Sequence, residues 1–354
     1  MKDNNSSNIE IAGQSIGGGH PAYVIAEISA NHNQDIGEAK ELIGIAKNCG
    51  ADAVKLQTYT PDTLTIDCDN EWFQIGKGTL WEGKNLYQLY GEAYTPWEWH
   101  EALFAHAKEV GITLFSSPFD ESAVEFLEGL DVPAYKIASF EMVHHPLIRK
   151  VAETGKPVII STGMASLAEI SEAVEVFRAA GGRELALLKC TSAYPAPAEE
   201  VNLRRIPHMA EAFGVPVGLS DHTMGSTVPA AAVALGACII EKHFTRSRET
   251  PGPDSAFSLE PDEFKAMIDA VRMAEAAVGS VNYSLTDKEV ASRVFRRSLF
   301  VVEDIEQGAV FTAQNVRIVR PGYGLAPKHI DKVLGKSASR NIARGAPLTW
   351  DHLG

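Results

Sequence analysis

Val217-Gly218-Leu219-Ser220-Asp221-His222 and Cys238-Ile239-Ile240-Glu241-Lys242-His243 are two apolar, strand-like runs that each close on a histidine. Laid side by side as parallel strands, they would turn both imidazoles into one mouth, where the pair could share a divalent metal. The same pattern recurs upstream, where short runs rich in Val, Ile and Leu end in polar or charged residues and give way to helical periodicity. These are 23–28 carrying Glu27, 53–56 carrying Lys55, 113–115 leading into Ser116 and Ser117, 134–137 with Lys136 and Ser139, 158–160 with Ser161 and Thr162, and 185–188 with Lys189. Amphipathic helical stretches alternate with them at 37–49, 96–109, 146–153, 167–180, 203–213 and 227–235, and 261–278 follows the last run. Such alternation demands parallel pairing with right-handed crossovers, and eight units close into an α/β (β/α)8 TIM barrel. Catalytic groups in that fold collect at the C-terminal ends of the strands, which is where these polar residues fall.

A barrel takes roughly 250 residues, so a chain of 354 has both ends left over. Residues 1–20 read as an N-terminal hairpin, 21–279 as the barrel, 280–294 as a linker and 295–354 as a small, mostly β domain. The long insertion 58–94, with Trp72, Trp81, Tyr87 and Tyr90, is expected to reach over the barrel mouth.

Hydrophobic residues make up 45% of the chain, ordinary for a globular protein with a large core. No apolar run is long enough to span a membrane and the N-terminus carries no apolar signal segment, so a soluble cytoplasmic protein is expected. Cys49, Cys68, Cys190 and Cys238 lack any C-x-x-C spacing, which argues against a disulfide framework or a zinc knuckle. A net charge of −14 argues against nucleic acid or an anionic membrane as partner, because phosphate backbones attract basic surfaces. A small anion is another matter. Lys55, Lys136, Lys189 and Lys242 all fall near strand ends, and a mouth lined with them should bind phosphate or carboxylate groups.

Each of these residues also has an ordinary structural use. One histidine at a strand end is commonly just hydrogen-bonded; two on consecutive strands, with Asp221 and Glu241 nearby as expected orienting carboxylates, favour metal ligation. Glu27, Lys55 and Lys136 could instead form barrel-interior ion pairs. Ser161 and Ser220 could merely cap the following helices. Trp72, Trp81 and Trp97 would then plug a loop against the barrel, and His144 and His145 beside Pro146 would begin a helix in solvent.

Taken together, Ile25-Ala26-Glu27-Ile28…Asn31-His32, Val54-Lys55-Leu56-Gln57-Thr58, Phe115-Ser116-Ser117-Pro118-Phe119, Tyr135-Lys136-Ile137-Ala138-Ser139, Ser161-Thr162-Gly163-Met164, Leu219-Ser220-Asp221-His222-Thr223 and Glu241-Lys242-His243-Phe244 resemble the sialic acid synthase family. The C-terminal segment resembles that family's antifreeze-like (SAF) domain. Within the family, Leu80-Trp81-Glu82-Gly83-Lys84-Asn85-Leu86-Tyr87, Tyr94-Thr95-Pro96-Trp97-Glu98-Trp99 and Asp254-Ser255-Ala256-Phe257-Ser258 look most like the pseudaminic acid synthases.

The resemblance implies condensation of phosphoenolpyruvate with an N-acetylated amino sugar, 2,4-diacetamido-2,4,6-trideoxy-L-altrose, with C–C bond formation and C–O cleavage. It implies a divalent metal ion, manganese or magnesium or else cobalt, held by His222 and His243, with Glu27 positioning or deprotonating water and assisting proton transfer at the aldehyde. It places Lys55, Lys136, Ser117, Ser139, Ser161, Ser192 and Ser220 around phosphoenolpyruvate, although better-known members of the family carry Asn where this chain has Ser192. Tyr194, Glu141 and Asp254 match positions near the sugar or metal. Arg320, in Arg320-Pro321-Gly322-Tyr323-Gly324, matches an arginine that reaches the sugar in the partner subunit's barrel, which implies a domain-swapped homodimer. The alternatives are N-acetylneuraminate or legionaminate synthesis, a Schiff-base aldolase using Lys136 or Lys189, and a non-catalytic binding protein suggested by the tail alone.

Overall fold

The computed structural model describes residues 8–76 and 80–354, so residues 1–7 of the expected N-terminal hairpin lie outside it. The chain divides into two compact units, Met1–Gly279 and Ser280–Gly354.

In the first unit β1 (Ile9–Ile11) and β2 (Gln14–Ile16) form an antiparallel hairpin. There follow β3 (Tyr23–Glu27), β4 (Ala53–Thr58), β5 (Thr113–Pro118), β6 (Tyr135–Ile137), β7 (Val158–Ser161), β8 (Leu185–Cys190), β9 (Val217–Asp221) and β10 (Ile239–His243). These pair in parallel in chain order, and β10 returns to β3 to close the barrel. The runs that end in polar residues are therefore the staves of a TIM barrel, as their alternation with helices requires.

Alternation of side chains along each strand sorts the residues into two cores. Tyr23, Ile25, Phe115, Ile159, Leu188 and Ile239 fill the barrel interior, and Ile9, Ile11 and Ile16 of the hairpin pack in with them. Val24, Val54, Leu187, Leu219 and Ile240, one residue out of step, face the helices instead. The same parity corrects one expectation from the sequence. Lys55 and Lys136 continue the inward set, but Lys189 and Lys242 continue the outward one, where Lys189 bonds Thr191 and Lys242 pairs with Asp221. The mouth thus receives two of the four strand-end lysines.

Helix starts are written in short polar side chains, which satisfy backbone N–H groups that the first turn leaves free. Asp35 caps Ile36–Cys49, and Ser166 forms a reciprocal capping box with Glu169 at the head of Leu167–Ala179. Asp120 caps Glu121–Gly129, a crossover helix between β5 and β6 that the hydrophobic pattern did not disclose. The long segment after β4 holds two more helices, Pro61–Leu64 and Leu86–Ala93. Among the described residues no helix is long and apolar enough to cross a membrane.

Behind β4 two histidines are buried and neutral. His100 donates through Nδ1 to the Pro96 carbonyl (3.2 Å) and accepts at Nε2 from Thr58 (2.8 Å), while His32 Nδ1 accepts from the Gln34 N–H (3.2 Å). Burial pulls both from 6.5 down to about 4. The unfolded chain takes up these protons at higher pH than the folded one, so stability is complete above pH 6.5 and drains away as pH falls towards 4. By pH 5 each should cost about 2 kcal/mol. In urea unfolding, the stability lost between pH 7 and pH 5 is expected to shrink by that amount in His100→Gln; an unchanged loss would show that this imidazole is charged in the fold.

In the second unit β11 (Ser298–Val301) pairs antiparallel with β12 (Val316–Val319) around Leu299, Val301, Ile305, Phe311, Val333 and Leu348. The stretch 280–294, read as a linker, carries the helix Asp287–Ser292, opened by a Thr286–Glu289 capping box. Arg320 follows β12 and is exposed.

Candidate active site

Strand register builds the centre of the mouth. His243 lies opposite Glu27 across β10 and β3, and Glu27 lies opposite Lys55 across β3 and β4. Glu27 Oε2 is ion-paired with the Lys55 ammonium, and its other oxygen accepts from Gln57 Nε2 (3.2 Å). Lys55 also donates to Ser117 Oγ (3.2 Å). On the opposite wall Lys136 donates to Glu241 Oε1 (3.2 Å), which further accepts from Ser220 (3.2 Å) and stands 4.0 Å from Lys55. Two ammoniums and two carboxylates are thereby interlocked, each residue at most 5% exposed. Isolated charges at that depth would be prohibitively costly, so mutual pairing is a condition of the fold.

Titration follows from this crowding. Burial, reinforced by Glu241 and opposed by Lys55, pushes the Glu27 carboxyl up to about 7. Burial likewise lifts Glu141 to about 7 against the pull of Lys136. Glu241 faces two lysines, and their charge outweighs burial to hold it below its ordinary range. Burial lowers Lys136 despite its partner.

The two imidazoles meet as the parallel strands require, with ring centroids 5.3 Å apart. His222 Nδ1 donates to the Thr191 carbonyl (2.8 Å), which fixes the tautomer and leaves Nε2 with a free lone pair. Asp221 and Glu241, expected to orient the histidines, do neither: Asp221 points outward to Lys242 and Glu241 serves the lysines. Buried side-chain atoms with no hydrogen-bond partner among the described residues include His243 Nδ1, Ser161 Oγ, Glu141 Oε2 and Glu241 Oε2. Such orphans are costly unless something binds them, and here they lie in or just beyond the strands β6, β7 and β10. Imidazoles with an unused ring nitrogen suit a divalent ion, but among the described residues no three His, Cys, Asp or Glu groups converge as a ready cage. Two protein ligands would leave the remaining positions open to substrate and water.

Around this centre Tyr194 lies against His222 (4.3 Å between centroids) and Phe257 against His243 (4.9 Å). Ser139 Oγ accepts from the Gly163 N–H (3.1 Å). A β-carbon at Gly163 would overlap Ser139 and Ser192, so this glycine is what lets the two hydroxyls approach the end of β7. Ser29 receives a hydrogen bond from Gln57 (3.0 Å) and donates to Asp254, which ties Asp254 to the cluster. The first unit thus brings together Glu27, Lys55, Ser117, Lys136, Ser139, Glu141, Ser161, Ser192, Tyr194, Ser220, His222, His243 and Asp254. Arg320 belongs to the second unit. Sequence reasoning missed Gln57, Ser29, Gly163 and the pivotal place of Glu241. Gln57 and Glu241 could have been found by counting in twos from Lys55 and His243.

A barrel mouth so furnished, with an orphaned serine hydroxyl beside paired lysines and two imidazoles, has the chemistry to receive a small anion. Residues 42–283 match the NeuB family and 296–354 the SAF domain. A pseudaminic acid synthase from Campylobacter jejuni is 48% identical over 92% of this chain and 95% of its own. Another from Helicobacter pylori is 45% identical over 94% of this chain and 98% of its own. Among solved structures, an N-acetylneuraminic acid synthetase from Leptospira borgpetersenii, in complex with citrate, superposes with a TM-score of 0.72 at 31% identity, covering 81% of this chain and 95% of that one. The chain belongs to the NeuB family, the sialic acid synthases that its motifs resemble, and carries the SAF domain expected at its C-terminus.

Proposed function

We propose that the chain is a cytoplasmic transferase that condenses phosphoenolpyruvate with 2,4-diacetamido-2,4,6-trideoxy-L-altrose to give pseudaminic acid and phosphate. The observation that carries this reading is the buried quartet of Glu27, Lys55, Lys136 and Glu241 beside orphaned Ser161 and the two imidazoles; the near-full-length identity to pseudaminic acid synthases points to the sugar.

Lys55 and Lys136 neutralise the carboxylate and phosphate of phosphoenolpyruvate, while Ser117, Ser139, Ser161, Ser192 and Ser220 supply hydroxyl donors. The formal charges of the quartet cancel, so an anionic substrate calls for a further cation. His222 and His243 would hold a divalent ion, manganese or magnesium or else cobalt, whose charge would stabilise negative oxygen at the sugar aldehyde. The enol C3 attacks the aldehyde carbon, water adds at C2, and the tetrahedral centre expels phosphate through C–O cleavage. Glu27, poised near neutrality by burial, exchanges the protons these steps require at the aldehyde oxygen and the attacking water. Tyr194, Glu141 and Asp254 hold the sugar. Arg320 completes its site from a partner subunit, which makes the working form a domain-swapped homodimer.

Phosphate release should be followed with phosphoenolpyruvate and three sugars in parallel: the trideoxy-altrose, N-acetylmannosamine and the diacetamido precursor of legionaminic acid. The altrose derivative is expected to give the highest kcat/KM, with turnover lost in EDTA and restored by manganese or magnesium. Preference for another sugar would reassign the substrate within the family. Turnover indifferent to chelator, with a lysine trapped by borohydride, would replace the mechanism by a Schiff-base one.

A further inference from the structure

One cavity lies just outside the charged centre. It measures about 590 Å³, and its walls include Leu80, Trp81, Pro251, Pro253, Ala256 and Asn33. Leu80, Trp81, Pro251, Pro253 and Ala256 supply its apolar surfaces, while Gln34, Glu82 and the paired Lys84 and Glu92 supply polar ones. Trp81, from the insertion after β4, donates its indole N–H to the Pro253 carbonyl (2.9 Å), and its ring stands 5.9 Å from Tyr194. Pro253 adjoins Asp254, which Ser29 and Gln57 link back to Glu27. The cavity is therefore one residue removed from Asp254. At its rim a β-carbon on Gly252 would push the Asn33 side chain aside.

Resting on the reaction proposed above, the geometry points to this cavity as the subsite for the far end of the sugar, with Trp81 as its specificity-determining wall. With the aldehyde carbon held beside Glu27 and the enol ester held by Lys55, Lys136 and the serines, the remaining sugar carbons run towards Asp254 and Trp81. A C6 methyl and the methyl of a 4-acetamido group suit indole, proline and alanine surfaces, and the amide of Asn33 can pair with the acetamido group. A sugar with hydroxyls at C4 and C6 must strip water from both against the same wall. Apolar pockets discriminate against an added hydroxyl by about a hundredfold, so this wall is the device that separates a trideoxy sugar from N-acetylmannosamine.

The test compares kcat/KM for the two sugars in the full-length enzyme and in Trp81→Ala, Trp81→Phe and Ala256→Leu, with the KM for phosphoenolpyruvate as internal control. Trp81→Ala is expected to lower kcat/KM for the trideoxy-altrose at least tenfold while leaving N-acetylmannosamine nearly unchanged, and Trp81→Phe to keep most of the selectivity. Ala256→Leu, at an exposed position that cannot unfold the barrel, should raise the KM for the trideoxy sugar at least tenfold at constant KM for phosphoenolpyruvate. Equal losses for both sugars in Trp81→Ala, or no effect of Ala256→Leu, would overturn the subsite while leaving the reaction intact. A wild-type enzyme that prefers N-acetylmannosamine would overturn the substrate reading and the subsite with it.

Discussion

Glu27→Gln should lower kcat by about a thousandfold, within the range that a positioned acid–base group contributes. The amide keeps the shape of the side chain, its contact with Gln57 and its neighbour Lys55, but it can neither take nor give the proton. It also removes a carboxylate that burial holds near neutrality. Leaving the Lys55 ammonium without its closest carboxylate should cost about 3–5 kcal/mol in urea unfolding, but under conditions where the variant is folded turnover should still collapse, with the KM for phosphoenolpyruvate moving much less than kcat. A variant within tenfold of wild type would show that Glu27 is only a counter-ion for Lys55.

The second large effect belongs to Lys136. Lys136→Met strands Glu241 in the barrel interior with Ser220 and a lysine 4.0 Å away, and breaking a buried pair from one side costs about 3–5 kcal/mol. The KM for phosphoenolpyruvate should rise at least a hundredfold. These two losses separate a structural from a substrate-binding lysine. In the double variant Lys136→Met with Glu241→Gln no carboxylate is abandoned, so stability should largely return, whereas affinity for phosphoenolpyruvate should not. If both recover together, the ion pair is scaffolding and the anion binds elsewhere.

The barrel could be read from sequence because parallel staves are apolar throughout and end abruptly in polar residues; Glu27, Lys55, His222 and His243 advertise those ends. Glu121–Gly129 was hidden because it is short and its clearest signal is a single capping aspartate rather than a long amphipathic stripe. The roles of Asp221 and Glu241 were misjudged for another reason. Both adjoin a histidine in sequence, but neighbours on a strand face opposite sides, so Asp221 could not help His222, and Glu241, though inward, is claimed by two lysines. What orients His222 is the Thr191 carbonyl of the next stave, which no side-chain pattern announces. Gln57 and Gly163 were overlooked because one is an unremarkable polar residue and the other works by leaving space.

Because one two-residue rhythm sends Lys55 and Lys136 inward and Lys189 and Lys242 outward, gaining or losing a single codon inside a stave would exchange its inner and outer faces at once. Loops outside the staves carry no such constraint and tolerate insertion far better. The staves themselves can drift only by substitution, and lineages of this enzyme should differ in the spans between strands while keeping each strand's residue count fixed.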